Sequence, residues 1–249
     1  MALVGAMCGD SLLGDEFLSA SATTASASPA AFSSTGQTML RITEIFHSIQ
    51  GEADAIGWPT VFIRLTGCPL RCVWCDTQYS FHGGEKLSQD EVLVRVAAFG
   101  ARHVCVTGGE PLVQKACLPL LSALCDAGHA VSLETSGALD VSAVDPRVRK
   151  VMDIKCPGSG EAGKNRLENL AHLNAQDQLK FVLADRADYD WATAMLNEHA
   201  LAARCQVLYS PVWESLPPHT LAEWILADRL PVRFQLQLHK VLWGNAKGR

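Results

Sequence analysis

Short runs of β-branched and apolar residues alternate with helical stretches along most of this chain, and this alternation limits the folds open to it. The apolar runs are Leu40–Phe46, Val61–Leu65, Val104–Thr107, Ala130–Glu134, Val151–Ile154, Leu179–Leu183, Gln206–Tyr209 and Phe234–Leu238. Strands that alternate with helices pair in parallel, as a sheet or as a barrel. Residues 39–249 carry the pattern and are fewer than the roughly 250 of a complete eight-unit barrel. We therefore predict an α/β fold, an abbreviated or partial TIM-type barrel.

Four helices are predicted between these runs. Ser88, with Glu91 three residues later, is typical of a capping box and predicts a helix that runs toward Phe99. Pro111 can begin a second helix, which would end at Gly128. The third and fourth predicted helices are Asp188–Ala203 and Thr220–Asp228.

The first 38 residues differ in composition from the rest. Nearly every residue from 19 to 38 is Ser, Ala or Thr, and the first basic residue is Arg41. Such a segment has little to bury, and it lacks the basic region and the sustained apolar stretch of a secretory signal. We expect residues 1–38 to be a disordered extension, or the product of a start codon placed too far upstream. Residues 39–249 are expected to form one domain.

Charge and hydropathy argue against two classes of function. The 249 residues carry a formal net charge of -5, and an acidic chain gains little from neutralising phosphates, so broad nucleic-acid binding is not expected. No apolar run approaches the roughly 18 to 20 residues that span a bilayer. We therefore predict a cytoplasmic protein that binds neither nucleic acid nor membranes.

Three of the nine cysteines lie together after the second apolar run, where Cys68, Cys72 and Cys75 have the spacing C-x3-C-x2-C. An odd number of cysteines excludes complete disulfide pairing, and the clustering indicates a metal centre. Soft thiolate ligands favour zinc, copper(I) or an iron–sulfur cluster. A structural zinc site and a simple electron-carrying cubane both need four protein ligands. Because a fourth local ligand is missing, we favour a [4Fe–4S] cluster with one iron open to a non-protein ligand.

A zinc site is the alternative interpretation of these three cysteines. Its fourth ligand would be Cys156, Cys205 or a histidine elsewhere in the chain, and the protein would then be a zinc or electron-transfer module rather than an enzyme. No role is assigned to the cysteines outside the cluster, which include Cys105, Cys117, Cys125, Cys156 and Cys205.

Polar motifs end three of the later apolar runs. They are Thr107–Pro111, Glu134–Gly137 and Asp153–Pro157. Glycines in the first motif let the backbone approach a ligand closely, and barrel active sites collect where strands end. Asp153 and Lys155, two residues apart, lie on one strand face. These motifs predict ligand contacts, whereas Lys180 is a weaker candidate.

Polar residues also surround the first two apolar runs. Gln50 and Glu52 flank a glycine just after the first run, and Arg64 lies among apolar neighbours on the second. A largely buried arginine needs an anion or a carbonyl partner. His239, near the end of the chain, is interpreted as structural, and the basic tail Gly244–Arg249 is assigned no contact.

The cysteine spacing, with an aromatic residue just before the last cysteine, resembles the radical SAM superfamily. Further motifs, in order, are F-x-S-I-Q-G-E, R-x-T-G-C-P-L-R-C-V-W-C-D-T, T-G-G-E-P, E-T-S-G, D-I-K-C-P and Q-L-Q-L-H-K. Together they resemble the 7-carboxy-7-deazaguanine synthases, and the resemblance extends from Met39 to Trp243. A different radical SAM enzyme, such as a glycyl-radical activase, is the second interpretation.

The resemblance implies a carbon–nitrogen lyase that converts 6-carboxy-5,6,7,8-tetrahydropterin to 7-carboxy-7-deazaguanine with release of ammonia, in 7-deazapurine (queuosine) biosynthesis. It implies that S-adenosylmethionine (SAM) occupies the open iron and is cleaved by one electron. The resulting adenosyl radical would remove the hydrogen at C6 of the pterin. It also implies Mg²⁺, a flavodoxin-type reductant and a homodimer.

Site residues follow from the same resemblance, with no catalytic group beyond the cofactor-bound chemistry. The cluster ligands would be Cys68, Cys72 and Cys75. The SAM-binding residues would be Trp74, Cys75, Asp76, Gly109, Glu134, Ser136, Asp153, Ile154 and Lys155. The pterin-binding residues would be Ile49, Gln50, Gly51, Glu52, Arg64 and Thr107, and Thr77 would bind Mg²⁺.

Overall fold

The computed structural model describes residues 38–249. The prediction for residues 1–38 therefore lies, except for Thr38, outside the described residues. The strands are β1 (Met39–Ile49), β2 (Pro59–Leu65), β3 (Glu85–Ser88), β4 (His103–Gly108), β5 (Ala130–Thr135), β6 (Arg149–Ile154), β7 (Gln178–Leu183), β8 (Gln206–Pro211) and β9 (Arg233–Phe234). The α-helices are α1 (Gln89–Ala97), α2 (Cys117–Asp126), α3 (Arg186–Glu198), α4 (Pro218–Asp228) and α5 (Leu238–Trp243).

All nine described strands form one sheet with the order β3-β1-β2-β4-β5-β6-β7-β8-β9. Pairing is parallel from β2 through β9, and β1 is antiparallel to both β2 and β3. The two edge strands, β3 and β9, do not pair with each other, so the barrel is incomplete. This confirms the predicted partial barrel.

Two apolar clusters pack helices against one face of the sheet. The first joins β1, β2, β4 and β5 to α1 and α2, and the second joins β6, β7 and β8 to α3 and α4. In β6 the alternation is explicit, because Met152 and Ile154 belong to the second cluster whereas Val151 and Asp153 face a pocket. The sheet therefore has a helix-covered face and a pocket face.

Helix positions agree in part with the sequence signals. The capping box of α1 is present: Glu91 donates its backbone N–H to Ser88 Oγ at 3.2 Å, and Ser88 donates its N–H to the Glu91 carboxylate at 2.7 Å. The second helix begins later than predicted, at Cys117, because Pro111–Val113 forms a separate 3-10 turn.

The predicted last strand, Phe234–Leu238, is wrong. Pairing with β8 stops at Phe234, and Leu238 begins α5. The intervening Gln235 uses its side chain to bond the backbone N–H and C=O of Ala53, at 2.9 and 3.1 Å, so this segment contacts the loop after β1 instead of extending the sheet. Strand β3, which is polar and short, was not predicted. No helix in residues 38–249 is long and apolar enough to span a membrane.

Candidate active site

The pocket face of the sheet surrounds a cavity of about 430 Å³. Of the predicted site residues, those that line it are Ile49, Gln50, Gly51, Glu52, Arg64, Cys68, Cys72, Trp74, Cys75, Asp76, Thr77, Thr107, Gly109, Glu134, Ser136, Asp153 and Lys155. Ile154 is the exception, because its side chain is buried in the second apolar cluster. Its backbone alone is available for the predicted SAM contact.

The polar loop after β1 approaches the pocket from the amino ends of the parallel strands. Antiparallel pairing places Ile49, at the end of β1, opposite Pro59, at the start of β2. The loop is held there by an ion pair between Asp54 and Arg149 at the start of β6, and by stacking of Trp58 on His103 at the start of β4. Gln50 and Glu52 therefore enter the pocket from the amino ends of the strands, whereas the motifs after β4, β5 and β6 enter it from the carboxyl ends.

Cys68, Cys72 and Cys75 lie half-buried on the pocket wall as free thiols. Backbone hydrogen bonds fix their loop on both sides: Gly67 N–H donates to Ser80 O at 2.8 Å, and Val73 N–H donates to Ser159 O at 3.1 Å. Burial raises the pKa of the Cys68 and Cys72 thiols, so metal binding would have to displace their protons.

The donor set fits an iron–sulfur cluster better than a single zinc ion. In residues 38–249 no group of three His, Cys, Asp or Glu side chains is placed to hold one metal ion. The proposed fourth zinc ligands also lie elsewhere: Cys156 is buried in the second apolar cluster and Cys205 lines a separate cavity at the start of β8. A cubane binds each thiolate through a different iron, so its ligands need not converge on one point.

The glycine motif after β4 packs directly against the cysteine loop. A Cβ atom on Gly109 would come within 2.6 Å of Cys68 Cβ and 2.4 Å of Gly67 O, so a side chain does not fit there. Glu110 is fully buried and accepts hydrogen bonds from Thr135 Oγ1 at 2.9 Å and from the Ser136 N–H at 2.7 Å. The carboxylate of Glu110 thus ties the end of β4 to the end of β5, while Gly109 is left bare toward the pocket.

Glu134, which the resemblance assigns to SAM, is hydrogen-bonded to two residues that it assigns to the pterin. Its carboxylate accepts hydrogen bonds from Gln50 Nε2 at 3.2 Å and from Thr107 Oγ1 at 3.0 Å. Gln50 in turn accepts the Glu52 N–H through Oε1 at 3.2 Å. The network fixes the donor and acceptor atoms of Gln50, so one wall of the pocket is organised before any ligand binds.

A cluster of largely buried charges, formed by Glu52, Asp153, Lys155 and Lys180, lines the pocket. Lys180 forms an ion pair with Glu52 and lies 3.6 Å from Asp153 Oδ2, and Lys155 lies 3.1 Å from the same oxygen. Burial alone would raise the pKa of the Glu52 carboxyl, but the positive charge of Lys180 and the hydrogen bonds from Lys180 and Gln237 outweigh burial and hold that pKa well below its usual range. Glu52 is therefore ionised at neutral pH.

Arg64 is held by one carboxylate and two rings. Its Nε donates to Glu44 Oε1 at 2.7 Å, and its guanidinium lies 5.8 Å from the Phe46 ring centroid and 5.9 Å from that of Tyr79. Tyr79 donates its hydroxyl to the same Glu44 oxygen at 2.8 Å. Glu44 accepts the hydrogen bond from Nε, and no hydrogen bond within residues 38–249 uses the terminal nitrogens of Arg64, so they are left for a ligand in the pocket.

The end of the chain folds over the pocket, which the sequence did not reveal. Gln237 donates to Glu52 Oε1 at 2.7 Å, and a Cβ atom on Gly51 would come within 2.1 Å of His239 Nδ1. Lys240 pairs with Asp76 at 3.1 Å. Asn245 and Arg249, in the tail to which no contact was assigned, also line the cavity.

Other lining residues gave no clear sequence signal. Lys180 lies in the middle of β7 rather than at its end, and Trp213 and Glu214 follow β8. Glu214 has φ +63°, a left-handed conformation that is costly for a non-glycine residue and often marks a functional loop. Thr77, the predicted Mg²⁺ ligand, has its Oγ1 3.7 Å from Cys75 Sγ.

Comparison with known proteins assigns the cysteine loop and the strands around it to a superfamily. Residues 62–155 match the radical SAM superfamily model. The 7-carboxy-7-deazaguanine synthase of Chlorobaculum tepidum is 48% identical over 213 residues, which cover 84% of this chain and 97% of that protein. The synthase of the same name from Koribacter versatilis is 41% identical, over 82% of this chain and 97% of that protein.

A solved structure gives the same relationship. The chain superposes on the crystal structure of QueE from Escherichia coli with a TM-score of 0.69 and 25% identity, covering 82% of this chain and 96% of that one. None of these matches supports the alternative of a glycyl-radical activase. The overall fold is therefore shared with a protein of known structure.

Proposed function

This chain belongs to the 7-carboxy-7-deazaguanine synthase family of the radical SAM superfamily, and we propose that its pocket is where 6-carboxy-5,6,7,8-tetrahydropterin is converted to 7-carboxy-7-deazaguanine with release of ammonia. The enzyme is a lyase of 7-deazapurine biosynthesis, the route to queuosine. The observation that carries the proposal is that three free cysteines and the polar residues of the loop after β1 line one cavity.

Cys68, Cys72 and Cys75 would hold a [4Fe–4S] cluster, as membership in the superfamily implies. When bound, the cluster supplies one electron for the cleavage of SAM at its open iron. The bare backbone at Gly109 gives the amino-acid part of SAM a close approach to the cluster loop. Ser136, Glu134, Asp153 and Lys155 would hold the rest of SAM, together with backbone groups of Trp74, Asp76 and Ile154.

The pterin would lie across the loop after β1. Amide and carboxylate groups of Gln50 and Glu52 can read the donor and acceptor edge of a pterin ring. Arg64, whose Nε is held by Glu44, would pair with the substrate carboxylate through its terminal nitrogens. Ile49, Gly51 and Thr107 complete this subsite. The segment from Gln235 onward covers the loop and would exclude water from the reacting carbon.

Four further features belong to this proposal. Thr77 would bind Mg²⁺ through its hydroxyl, since that ion keeps most of its waters and takes few protein ligands. A flavodoxin-type protein would supply the electron, the active form would be a homodimer, and the enzyme would work in the cytoplasm.

The test is an anaerobic assay of the cluster-loaded protein with SAM, a reductant and carboxytetrahydropterin, with the product identified by mass spectrometry. We expect 7-carboxy-7-deazaguanine and ammonia in equal amounts. Arg64→Gln should raise the KM for the pterin at least tenfold and leave the dissociation constant of SAM unchanged, since one charge-assisted contact is lost. Arg147→Gln, in an exposed ion pair with Asp145, is the matched control and should change neither.

If cluster-loaded protein forms no deazaguanine in this assay, carboxytetrahydropterin is not its substrate. Cleavage of SAM that requires a second protein and ignores the pterin would instead support an activase.

A further inference from the structure

Lys180 contacts both of the regions assigned above to different ligands. It lies on β7, forms an ion pair with Glu52 in the pterin subsite, and lies 3.6 Å from Asp153 Oδ2 in the SAM subsite. We propose that Lys180 is a positioning residue shared by the two subsites, holding the Glu52 and Asp153 carboxylates in their binding orientations at the same time. The inference rests on the proposed function for the identity of the two ligands.

On the pterin side, Lys180 holds one oxygen of Glu52 and Gln237 holds the other. Oε2 pairs with Lys180, and Oε1 accepts the Gln237 amide at 2.7 Å. Glu52 is 7% exposed, so this carboxylate has few alternative orientations and little water to stabilise its charge. Burial would lower the pKa of Lys180, but Glu52 and Asp153 hold it above its usual value, so the pair is ionic.

On the SAM side, sheet register brings Lys180 to Asp153. The two residues are directly opposite each other in the parallel pairing of β6 with β7. Lys155 and Lys180 both approach Asp153 Oδ2, whereas Oδ1 is buried and has no hydrogen-bond partner among residues 38–249. A buried carboxylate oxygen without a donor is costly, and a ligand donor in the pocket would satisfy it. Lys155 and Lys180 together hold Oδ2, so that Oδ1 of Asp153 is the oxygen left for a ligand.

A second buried lysine shows what a purely structural pair looks like. Lys150 pairs with Asp177 at 3.0 Å, and both side chains are at most 4% exposed. Both Asp177 oxygens also accept backbone N–H groups, from Lys150 at 2.8 Å and Asn174 at 2.9 Å. Neither residue lines the main cavity. The cluster of Lys180, Glu52, Asp153 and Lys155 differs in both respects. Asp153 Oδ1 has no hydrogen-bond donor among the described residues, and all four side chains line the cavity.

The test measures ligand affinity rather than turnover. Cluster-loaded Lys180→Met is titrated anaerobically with SAM alone and with carboxytetrahydropterin alone in a calorimeter, beside Lys150→Met as the matched control. We expect Lys180→Met to raise both dissociation constants at least tenfold. Lys150→Met should lower the melting temperature and leave both constants within twofold. Lys180→Arg keeps the charge and should recover part of both affinities.

A double-mutant cycle then asks whether Lys180 acts through the two carboxylates. In a Glu52→Gln background, Lys180→Met should have little further effect on pterin affinity while still weakening SAM. In an Asp153→Asn background, Lys180→Met should have little further effect on SAM affinity while still weakening pterin binding. The Glu52→Gln, Lys180→Met pair also removes the carboxylate charge that Lys180→Met leaves unpaired, so it provides a folded variant for the comparison.

Three results would overturn the shared role. They are unchanged affinities in Lys180→Met, loss of one affinity alone, or equal losses in the wild-type and carboxylate-variant backgrounds. Failure of the proposed function looks different, because wild-type protein would then bind SAM without binding the pterin or forming deazaguanine. The Asp153 arm of the cycle would still report on Lys180 in that case.

Discussion

The two faces of the sheet each bury a lysine, and they treat it differently. On the face that packs against helices, Lys150 and Asp177 are enclosed and every oxygen of Asp177 has a backbone donor. On the pocket face, Lys180 contacts Glu52 and Asp153, and one Asp153 oxygen has no hydrogen-bond partner in the described part of the chain. Similar side chains are therefore fully paired on one face and line a cavity on the other.

The difference shows that burial of charge does not by itself identify a site in this molecule. A buried ion pair contributes little net stability, but removal of one partner is strongly destabilising. What separates the two groups is satisfaction of their oxygens and access to the cavity. Changes on the pocket face should therefore alter chemistry and affinity, whereas changes on the helix-covered face should alter the free energy of unfolding.

The largest expected effect is on the cysteine loop. Cys72→Ala should abolish cluster assembly and SAM cleavage, because two thiolates do not hold a cubane that needs three protein ligands. Cys125→Ala, a half-buried free cysteine outside the pocket, is the matched control and should retain both. Iron content, visible absorbance and 5′-deoxyadenosine formation measure the outcome. A brown, SAM-cleaving Cys72→Ala protein would refute the ligand assignment.

The next effect concerns stability on the helix-covered face. Lys150→Met should lower the free energy of unfolding by about 3–5 kcal/mol, since Asp177 keeps a buried charge without its partner. Denaturant unfolding measures this loss. Replacing both members, as Lys150→Met with Asp177→Asn, should recover part of it. A Lys150→Met protein with unchanged stability would break the contrast between the two faces.

A smaller effect is expected at the Mg²⁺ ligand. Thr77→Ala should raise the Mg²⁺ concentration needed for half-maximal activity by about tenfold, on the scale of losses seen when groups around a metal are removed. SAM affinity should stay the same, because the resemblance assigns Thr77 to Mg²⁺ and not to SAM, and within residues 38–249 its hydroxyl hydrogen-bonds Cys75 Sγ at 3.7 Å. Thr77→Ser keeps the hydroxyl and should behave as wild type. An unchanged Mg²⁺ response in Thr77→Ala would remove Thr77 from that site.

The smallest expected effect is at the capping box of α1, outside the pocket. Ser88→Ala removes the capping box of α1 and should cost about 1 kcal/mol of stability. Affinity for both ligands should not change. Glu91→Gln preserves the capping pattern and should cost less. Thermal unfolding with parallel SAM titration provides the measurement, and a change in SAM affinity would show that α1 influences the pocket.

Local patterns account for what the sequence could predict. The capping box, the strands around the pocket and the residues after β4 and β5 each depend on neighbours within a few positions, so the sequence displays them directly. The cysteine spacing does the same for the loop of Cys68, Cys72 and Cys75, and all but one of the predicted site residues line the cavity.

Long-range contacts account for what it could not predict. Lys180 is 128 positions from Glu52 in the sequence, and Gln237 is 185 positions from Glu52. No local sequence pattern near these residues predicts either contact. The segment after Phe234 alternates like a strand, but tertiary bonds from Gln235 to Ala53 override that pattern. Register decides the partner of Asp153 in the same way, because β6 and β7 align only when the sheet forms.

The most direct test of the account is the electron paramagnetic resonance spectrum of the reduced, cluster-loaded protein before and after addition of SAM. The account assigns three protein ligands to the cluster and one open iron, so it predicts a [4Fe–4S] signal that shifts when SAM binds. A cluster signal that SAM leaves unchanged, or a protein that binds one zinc ion and no iron, would contradict it.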